Sequence, residues 1–165
     1  MGEPFGPACR CAVRSAQITT GRQWMLVLDP GEELLETITA WCVGAGVAQA
    51  TVTLFGAFRS VRLIGTNAPL ADEEPPLADA VDIAYLEGVG SGTITSVGGT
   101  PRPHIHVAAG VKSQGSTAYA GHLLRGEVHY TVEVTVTEVV SPTFALRPDS
   151  AAFGLTCLHF TNGEE

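Results

Sequence analysis

The segment from Glu127 to Val140 constrains the fold most strongly, because apolar and polar residues alternate along it. Its alternating large apolar residues are Val128, Tyr130, Val132, Val134 and Val136. Successive side chains of a β-strand point to opposite faces of a sheet, so this pattern places one apolar row against a core. We therefore expect a long strand here, with all of these apolar residues on its buried face.

One helix is predicted between residues 29 and 46. Its start lies in Asp29-Pro30-Gly31-Glu32-Glu33, where Asp29 or a neighbour can cap and the glutamates favour the first turn. Gly44 and Gly46 are predicted to end it. The apolar residues at helical spacing between these limits are Leu34, Leu35, Ile38, Trp41 and Cys42.

Short apolar or alternating runs elsewhere predict further strands. These runs span residues 24–28, 48–54, 61–64, 82–87, 91–95, 104–109 and 155–160. Between them we expect a bend or bulge at 55–58, a loop at 66–80, and turns at 88–92, 97–103 and 112–116. The predicted fold class is therefore α+β, with a mainly antiparallel sheet of about seven or eight strands and one main helix packed on it.

The length of 165 residues favours a single domain. We expect an irregular N-terminal segment over residues 1–19, one domain over 20–160 and a tail over 161–165. Charged residues make up 16% of the chain, below the usual level of about 25%. So low a share of charge indicates apolar surface that is covered in an oligomer.

The net charge of −8 argues against extensive contact with nucleic acid or with acidic membranes. No apolar run reaches the roughly 18 residues of a membrane span, and no signal peptide is visible, so we expect a cytoplasmic protein without membrane contact. Disulfides are not expected there. Cys42 and Cys157 are interpreted as small buried residues, whereas Cys9 and Cys11 form only a weak candidate pair for a soft metal.

Three of the five histidines, His104, His106 and His122, lie within a short window. On a strand, His104 and His106 would project from the same face, about 6.6–6.8 Å apart along the strand. The sixteen residues between His106 and His122 let the chain turn and return, and Gly121 lets its backbone come close. Three histidines with an open fourth position are typical of a catalytic or exchangeable metal site, and we expect a divalent ion there. The residues alone leave zinc, nickel, iron and manganese open as its identity.

The His-x-His pair also opens the cupin motif, and Gly98 fits the start of that motif. The cupin pattern then requires a glutamate four or five residues after the second histidine. Gly110 and Val111 occupy those positions, so the carboxylate ligand is missing.

A second resemblance covers far more of the chain, from residue 20 to 160. It rests on Arg22 to Leu28, Pro30-Gly31-Glu32-Glu33-Leu34, Leu54-Phe55-Gly56-Ala57-Phe58, Tyr85-Leu86-Glu87, Pro103-His104-Ile105-His106-Val107, Ala120-Gly121-His122-Leu123-Leu124, Thr131-Val132-Glu133-Val134 and Phe153-Gly154-Leu155. In this order the segments resemble the plants-and-prokaryotes conserved (PPC) domain, also called the domain of unknown function 296.

The resemblance implies an α+β domain that forms homotrimers and, in prokaryotic members, binds zinc or a similar ion at the positions of His104, His106 and His122. Members of the family are often labelled predicted DNA-binding proteins, so the resemblance also implies a candidate role with DNA. Plant members, however, bind AT-rich DNA through a separate AT-hook and use this domain for partner interactions. The chain departs from the family in Ala120, in the longer acidic loop over 66–80, and in having no Arg-Gly-Arg-Pro hook.

Several charged residues and the two remaining histidines are further candidates for functional roles. Glu133 could orient a ligand histidine or act as a general base, or it could simply face solvent or a neighbouring subunit. Glu127 and His129 alternate along the same face, with His129 at the surface or at an interface. His159 is interpreted as a strand residue without metal. Anion binding is a further candidate role for Arg22, Arg59 and Arg125.

These observations leave three functions open. The first is a metal-binding oligomeric module of the PPC type, which the sequence favours. The second is a metal-dependent hydrolase or lyase that uses the three histidines, with a small molecule as substrate. The third is a module that recruits a protein partner or DNA in transcription.

Overall fold

The structure is a computed structural model that describes residues 13–65, 80–152 and 154–161. The strands and the α-helix in these ranges are β1 (Thr19–Leu28), α1 (Leu34–Ala45), β2 (Ala50–Ile64), β3 (Val81–Val97), β4 (Thr100–Val111), β5 (Thr117–Ser141), β6 (Thr143–Pro148) and β7 (Thr156–Thr161). Two single-turn 3-10 helices span Lys112–Gln114 and Ser150–Ala152. The predicted loop lies outside the described residues except for its last position, and Cys9 and Cys11 lie outside them as well.

The main sheet is antiparallel and has the strand order β1-β5-β2-β3-β4. β4 also pairs with the first residues of β5, so strands β2 to β5 close into a barrel, with β1 at the edge. β6 and β7 form a separate two-stranded sheet. The predicted antiparallel sheet with one main helix is confirmed, whereas the closure into a barrel was not predicted.

Two pairs of predicted strands are continuous in the structure. The runs 48–54 and 61–64 belong to β2, and the runs 82–87 and 91–95 belong to β3. The prediction of a tight turn at 88–92 was therefore wrong. These glycines instead let β3 lie against β4, because a Cβ at Gly92 would stand 2.0 Å from the carbonyl oxygen of His104.

The long predicted strand exists, but one residue of its apolar row is misplaced. Gly56 and Phe58 of β2 have one residue between them, whereas their partners on β5, Val132 and Val128, have three. This bulge turns Tyr130 outward, where it is 71% exposed, so its predicted burial was wrong. Val128 and Val132, on either side of the bulge, are fully buried as predicted.

Helix α1 closes one side of the core by packing on β4 and β5. Leu34, Ile38 and Cys42 form its buried face, and burial raises the pKa of the Cys42 thiol to about 11. Cys157 was also expected to be buried, but it is only partly covered, on β7. Within the described part of the chain, no helix combines the length and apolar character that a membrane crossing requires.

Glu33 caps the start of α1 and also ties it to β5. One of its carboxylate oxygens accepts a hydrogen bond from the backbone N–H of Glu36 at 2.8 Å, and the other accepts one from the N–H of Gly126 at 2.8 Å. Glu33→Ala removes both acceptors and is expected to lower the free energy of unfolding by about 1–2 kcal/mol in urea denaturation. The control is Glu36→Ala at an exposed position, which should change the free energy of unfolding by no more than about 0.5 kcal/mol. Equal losses in the two variants would contradict the role of Glu33 as the cap of α1.

Candidate metal centre

The three predicted histidines meet on the outer surface of the barrel. His104 and His106 project outward from β4, between the buried residues Ile105 and Val107, as strand alternation requires. His122 lies on β5, directly opposite His106. One nitrogen from each of the three imidazoles lies within 4.8 Å of the others.

The three imidazole rings lie close to one another. The centroid of His104 lies 5.3 Å from that of His106 and 4.8 Å from that of His122, and the centroids of His106 and His122 are 5.4 Å apart. Among the described residues, this group contains no carboxylate or thiolate. The site therefore offers three nitrogen donors.

The closure of the barrel is what brings His122 to the pair on β4. At His122, β5 passes from its pairing with β4 to its pairing with β2, and His122 lies opposite both His106 and Ile64. A Cβ at Gly121 would stand 2.8 Å from the carbonyl oxygen of Ile64, so this crossing needs a residue without a side chain. The expectation that Gly121 permits a close backbone approach is confirmed.

The surroundings favour the neutral form of two of these imidazoles, His104 and His122. Burial lowers the pKa of His104 and of His122, and the neighbouring histidines lower both further. Neutral imidazole is the form that binds a metal ion. In addition, Nδ1 of His122 is buried and has no hydrogen-bond partner among the described residues. A buried, unpaired nitrogen within a group of three imidazoles fits a divalent cation such as zinc, which accepts nitrogen ligands.

This electrostatic arrangement makes the stability of the metal-free protein depend on pH. The pKa values of His104 and His122 lie below the ordinary value of 6.5, so the unfolded chain binds more protons than the folded one once the pH falls below about 6.5. We expect the midpoint of thermal unfolding in chelator to fall between pH 7.5 and about pH 5. In a His104→Gln/His122→Gln variant, the unfolding midpoint should change less with pH. An equally large change with pH in this variant would contradict this account.

Glu133 lies on the same outer face but not among the histidines. Its partners across the sheet are Val27 on β1 and Phe55 on β2. From Glu133 the path to β4 crosses three strand spacings, or about 14 Å. One chain thus does not bring Glu133 into contact with the three histidines, and its catalytic role stays a prediction.

The remaining candidates are distributed over other parts of the surface. Glu127 forms an ion pair with Arg59 at 2.8 Å, and Arg22 forms one with Glu138 at 2.7 Å, so both arginines have carboxylate partners within the chain. Arg125 lies on β5 opposite Arg62. His159 lies on β7, 3.8 Å from a carboxylate oxygen of Asp149 and away from the metal-capable group.

Sequence reasoning missed the residues that flank the histidines on β3. Ser91 lies opposite His106, and Thr93 lies opposite His104. Both are hydroxyl residues on the outer face, beside the three imidazoles. Their position depends on the register between β3 and β4. The predicted turn at 88–92 interrupts β3, so the sequence did not indicate this register.

Comparison with known proteins identifies the family. The sequence model of the Plants and Prokaryotes Conserved (PCC) domain matches residues 15–140. No curated protein matches the sequence.

Solved structures share the fold over nearly the whole chain. A plant- and prokaryote-conserved protein from Pyrococcus horikoshii is 21% identical, with a TM-score of 0.73 over 89% of this chain and 97% of its own. A metal-containing protein from Archaeoglobus fulgidus is 25% identical, with a TM-score of 0.70 over 89% of this chain and 99% of its own. A protein from Bacteroides thetaiotaomicron, described as a candidate DNA-binding protein, is 20% identical, with a TM-score of 0.70 over 87% and 97%.

Proposed function

The chain belongs to the Plants and Prokaryotes Conserved (PCC) domain family, and we propose that it binds one divalent metal ion through His104, His106 and His122. The observation that carries this proposal is the convergence of one nitrogen from each imidazole within 4.8 Å. The lowered pKa values of His104 and His122 support it, as does Nδ1 of His122, which has no hydrogen-bond partner among the described residues. The Archaeoglobus fulgidus relative, described as metal-containing, adds support at 25% identity.

Zinc is the ion that we propose first, because three imidazoles without a thiolate are a ligand set that zinc accepts with a position left open. His104 and His106 are exposed, so a small molecule can reach the open side from solvent. An ion held there would supply Lewis-acid chemistry. Ser91 and Thr93 provide hydroxyl groups beside it for orienting a bound molecule.

A metal-dependent hydrolase or lyase is the alternative that the open position favours. Such an enzyme also needs an acid or base within hydrogen-bond reach of the reacting group. The described part of the chain places no carboxylate in the histidine group, so catalysis would require one from a neighbouring subunit or from the substrate. We therefore propose a metal-binding module ahead of an enzyme.

The outer face next to the histidines supports assembly into an oligomer, and we keep the homotrimer as the proposed state. Val27, Phe55 and Val89 occupy one row across the sheet, interrupted by Glu133, and they are 64%, 52% and 60% exposed. An exposed apolar row of this kind typically marks a protein interface. A protein partner could use the same row.

DNA binding is the least supported of the candidate functions, although one structural relative is described as a candidate DNA-binding protein. The chain carries a net charge of −8. Arg22, Arg59 and Arg62 are already paired with carboxylates of the chain. A cytoplasmic location remains part of the proposal.

The test is to load the full-length protein with Co²⁺, whose visible absorption reports its ligands, and then to add azide. We expect about one bound Co²⁺ per chain and a spectrum that changes saturably with azide, because an open position can accept the anion. A Co²⁺ spectrum that azide leaves unchanged would show a closed site and overturn the open position. Failure of the wild-type protein to bind Co²⁺ or Zn²⁺ would overturn the metal site itself.

A further inference from the structure

A pocket separate from the histidine site lies beside β2, between irregularities in the backbones of the two neighbouring strands. On one side, the bulge of β5 carries His129 and Tyr130. On the other side, Tyr85 of β3 has a φ of 57°, in the left-handed region that residues with side chains rarely adopt. The small residue Ala57 of β2 lies between them and lines the pocket. We call this cavity the tyrosine pocket, with Leu86, Glu87 and Lys112 as its other lining residues.

Three of the seven residues that line the tyrosine pocket carry aromatic rings. The His129 ring packs edge-on against Tyr85, with centroids 5.5 Å apart, and lies 4.0 Å from the ring of Tyr130. Tyr85 is 62% exposed and Tyr130 is 71% exposed, so both rings keep most of their surface available. A cavity of about 270 Å³ is near the lower end of the range for ligand pockets and suits a small molecule.

Three polar side chains of the same pocket have an unmatched hydrogen-bonding atom or charge within the described part of the chain. Nδ1 of His129 is buried and makes no hydrogen bond to any described residue. Among the described residues, Glu87 and Lys112 take part in no ion pair, although they carry opposite charges and line one cavity. Buried nitrogen atoms without partners are uncommon in folded proteins, and left-handed backbone at a bulky residue is often found at binding sites.

We propose that the tyrosine pocket binds a small aromatic zwitterion, a molecule that carries a planar ring, an ammonium group and a carboxylate. The ring stacks on the exposed faces of Tyr85 and Tyr130. Lys112 attracts the carboxylate and Glu87 attracts the ammonium group, which accounts for two opposite charges in one cavity. The site is independent of the metal, because none of the three clustered histidines lines the pocket.

The probes are L-tryptophan, tryptamine and indole-3-propionate, which share one ring system and differ in charge. Titration calorimetry of the full-length protein is expected to show saturable binding of L-tryptophan with a Kd below about 1 mM. Tryptamine lacks the carboxylate and indole-3-propionate lacks the ammonium group, so each should bind at least about tenfold more weakly. No saturable binding of L-tryptophan, or equal binding of all three probes, would overturn the proposal.

Matched variants separate the pocket from the rest of the protein. Tyr85→Gly removes one aromatic wall and suits the left-handed backbone, so the variant should fold and lose at least about tenfold in affinity for L-tryptophan. Lys112→Gln should remove the preference for L-tryptophan over tryptamine. Tyr119→Phe, outside the pocket, and His104→Ala/His106→Ala should leave binding unchanged. Unchanged binding in Tyr85→Gly, or loss of binding in the double histidine variant, would contradict a separate site.

Discussion

Replacing His106 with alanine is expected to weaken zinc binding by at least about 100-fold, because loss of groups that only orient a ligand already costs about 10–100-fold. His106 lies two residues from His104 on β4 and directly opposite His122 on β5, and its ring centroid is 5.3 Å and 5.4 Å from theirs. Its removal leaves two imidazoles for the ion. The measurement is competition for zinc with a chelator of known affinity, at one fixed pH above 7.

Ser91→Ala is the matched control for this variant. Ser91 lies opposite His106 on β3, so the substitution alters the same part of the sheet without removing a nitrogen donor. We expect its zinc affinity to stay within about threefold of the wild type, since an exposed residue that donates no ligand contributes little. Equal affinities in His106→Ala and wild type would mean that the ion is bound elsewhere.

The second large effect is a loss of stability on substitution of Gly92, which lies on β3, the strand paired with the histidine-bearing β4. A Cβ there would lie 2.0 Å from the carbonyl oxygen of His104 and 2.8 Å from the Cα of Ile105, and both are backbone atoms of the paired strand. Gly92→Ala therefore forces β3 away from β4 and should lower the free energy of unfolding by about 3 kcal/mol or more. Urea denaturation of the metal-free protein measures this loss without interference from zinc.

The same glycine-to-alanine change at Gly44 is expected to raise the stability of the protein. Gly44 lies within α1, and a Cβ there would meet nothing within 4 Å. Alanine has a higher helix propensity than glycine, so the free energy of unfolding of Gly44→Ala should be higher by about 0.5–1 kcal/mol. If both variants changed stability in the same direction by similar amounts, the close approach of β3 to β4 would be refuted.

The sequence predicted the donors of the site better than it predicted the sheet that holds them. The His104–His106 pair follows directly from strand alternation, and Gly121 signalled the close approach of the third histidine. The β2–β5 pairing that sets the position of His122 joins residues far apart in the chain, and local patterns carry no information about it. The same limit explains why β6 was missed and why Ser91 was not placed beside His106.

Glycines account for the main errors in the predicted strands. Gly88, Gly90 and Gly92 were interpreted as a turn because glycine favours turns, but they occupy positions where the backbone of β4 leaves no room for a side chain. Gly56 instead marks a real irregularity, with a φ of 152°, and this bulge was among the predicted alternatives at 55–58. Its effect on Tyr130 depends on β5 and could not be derived from β2 alone.

X-ray absorption at the zinc edge of the zinc-loaded protein tests the central claim most directly. The account predicts three imidazole nitrogens at about 2.0–2.1 Å, with a fourth light-atom ligand from solvent. In His104→Ala/His106→Ala the imidazole signal should disappear together with the bound zinc. A wild-type spectrum with sulfur ligands, or without imidazole scattering, would contradict a three-histidine metal site in this protein.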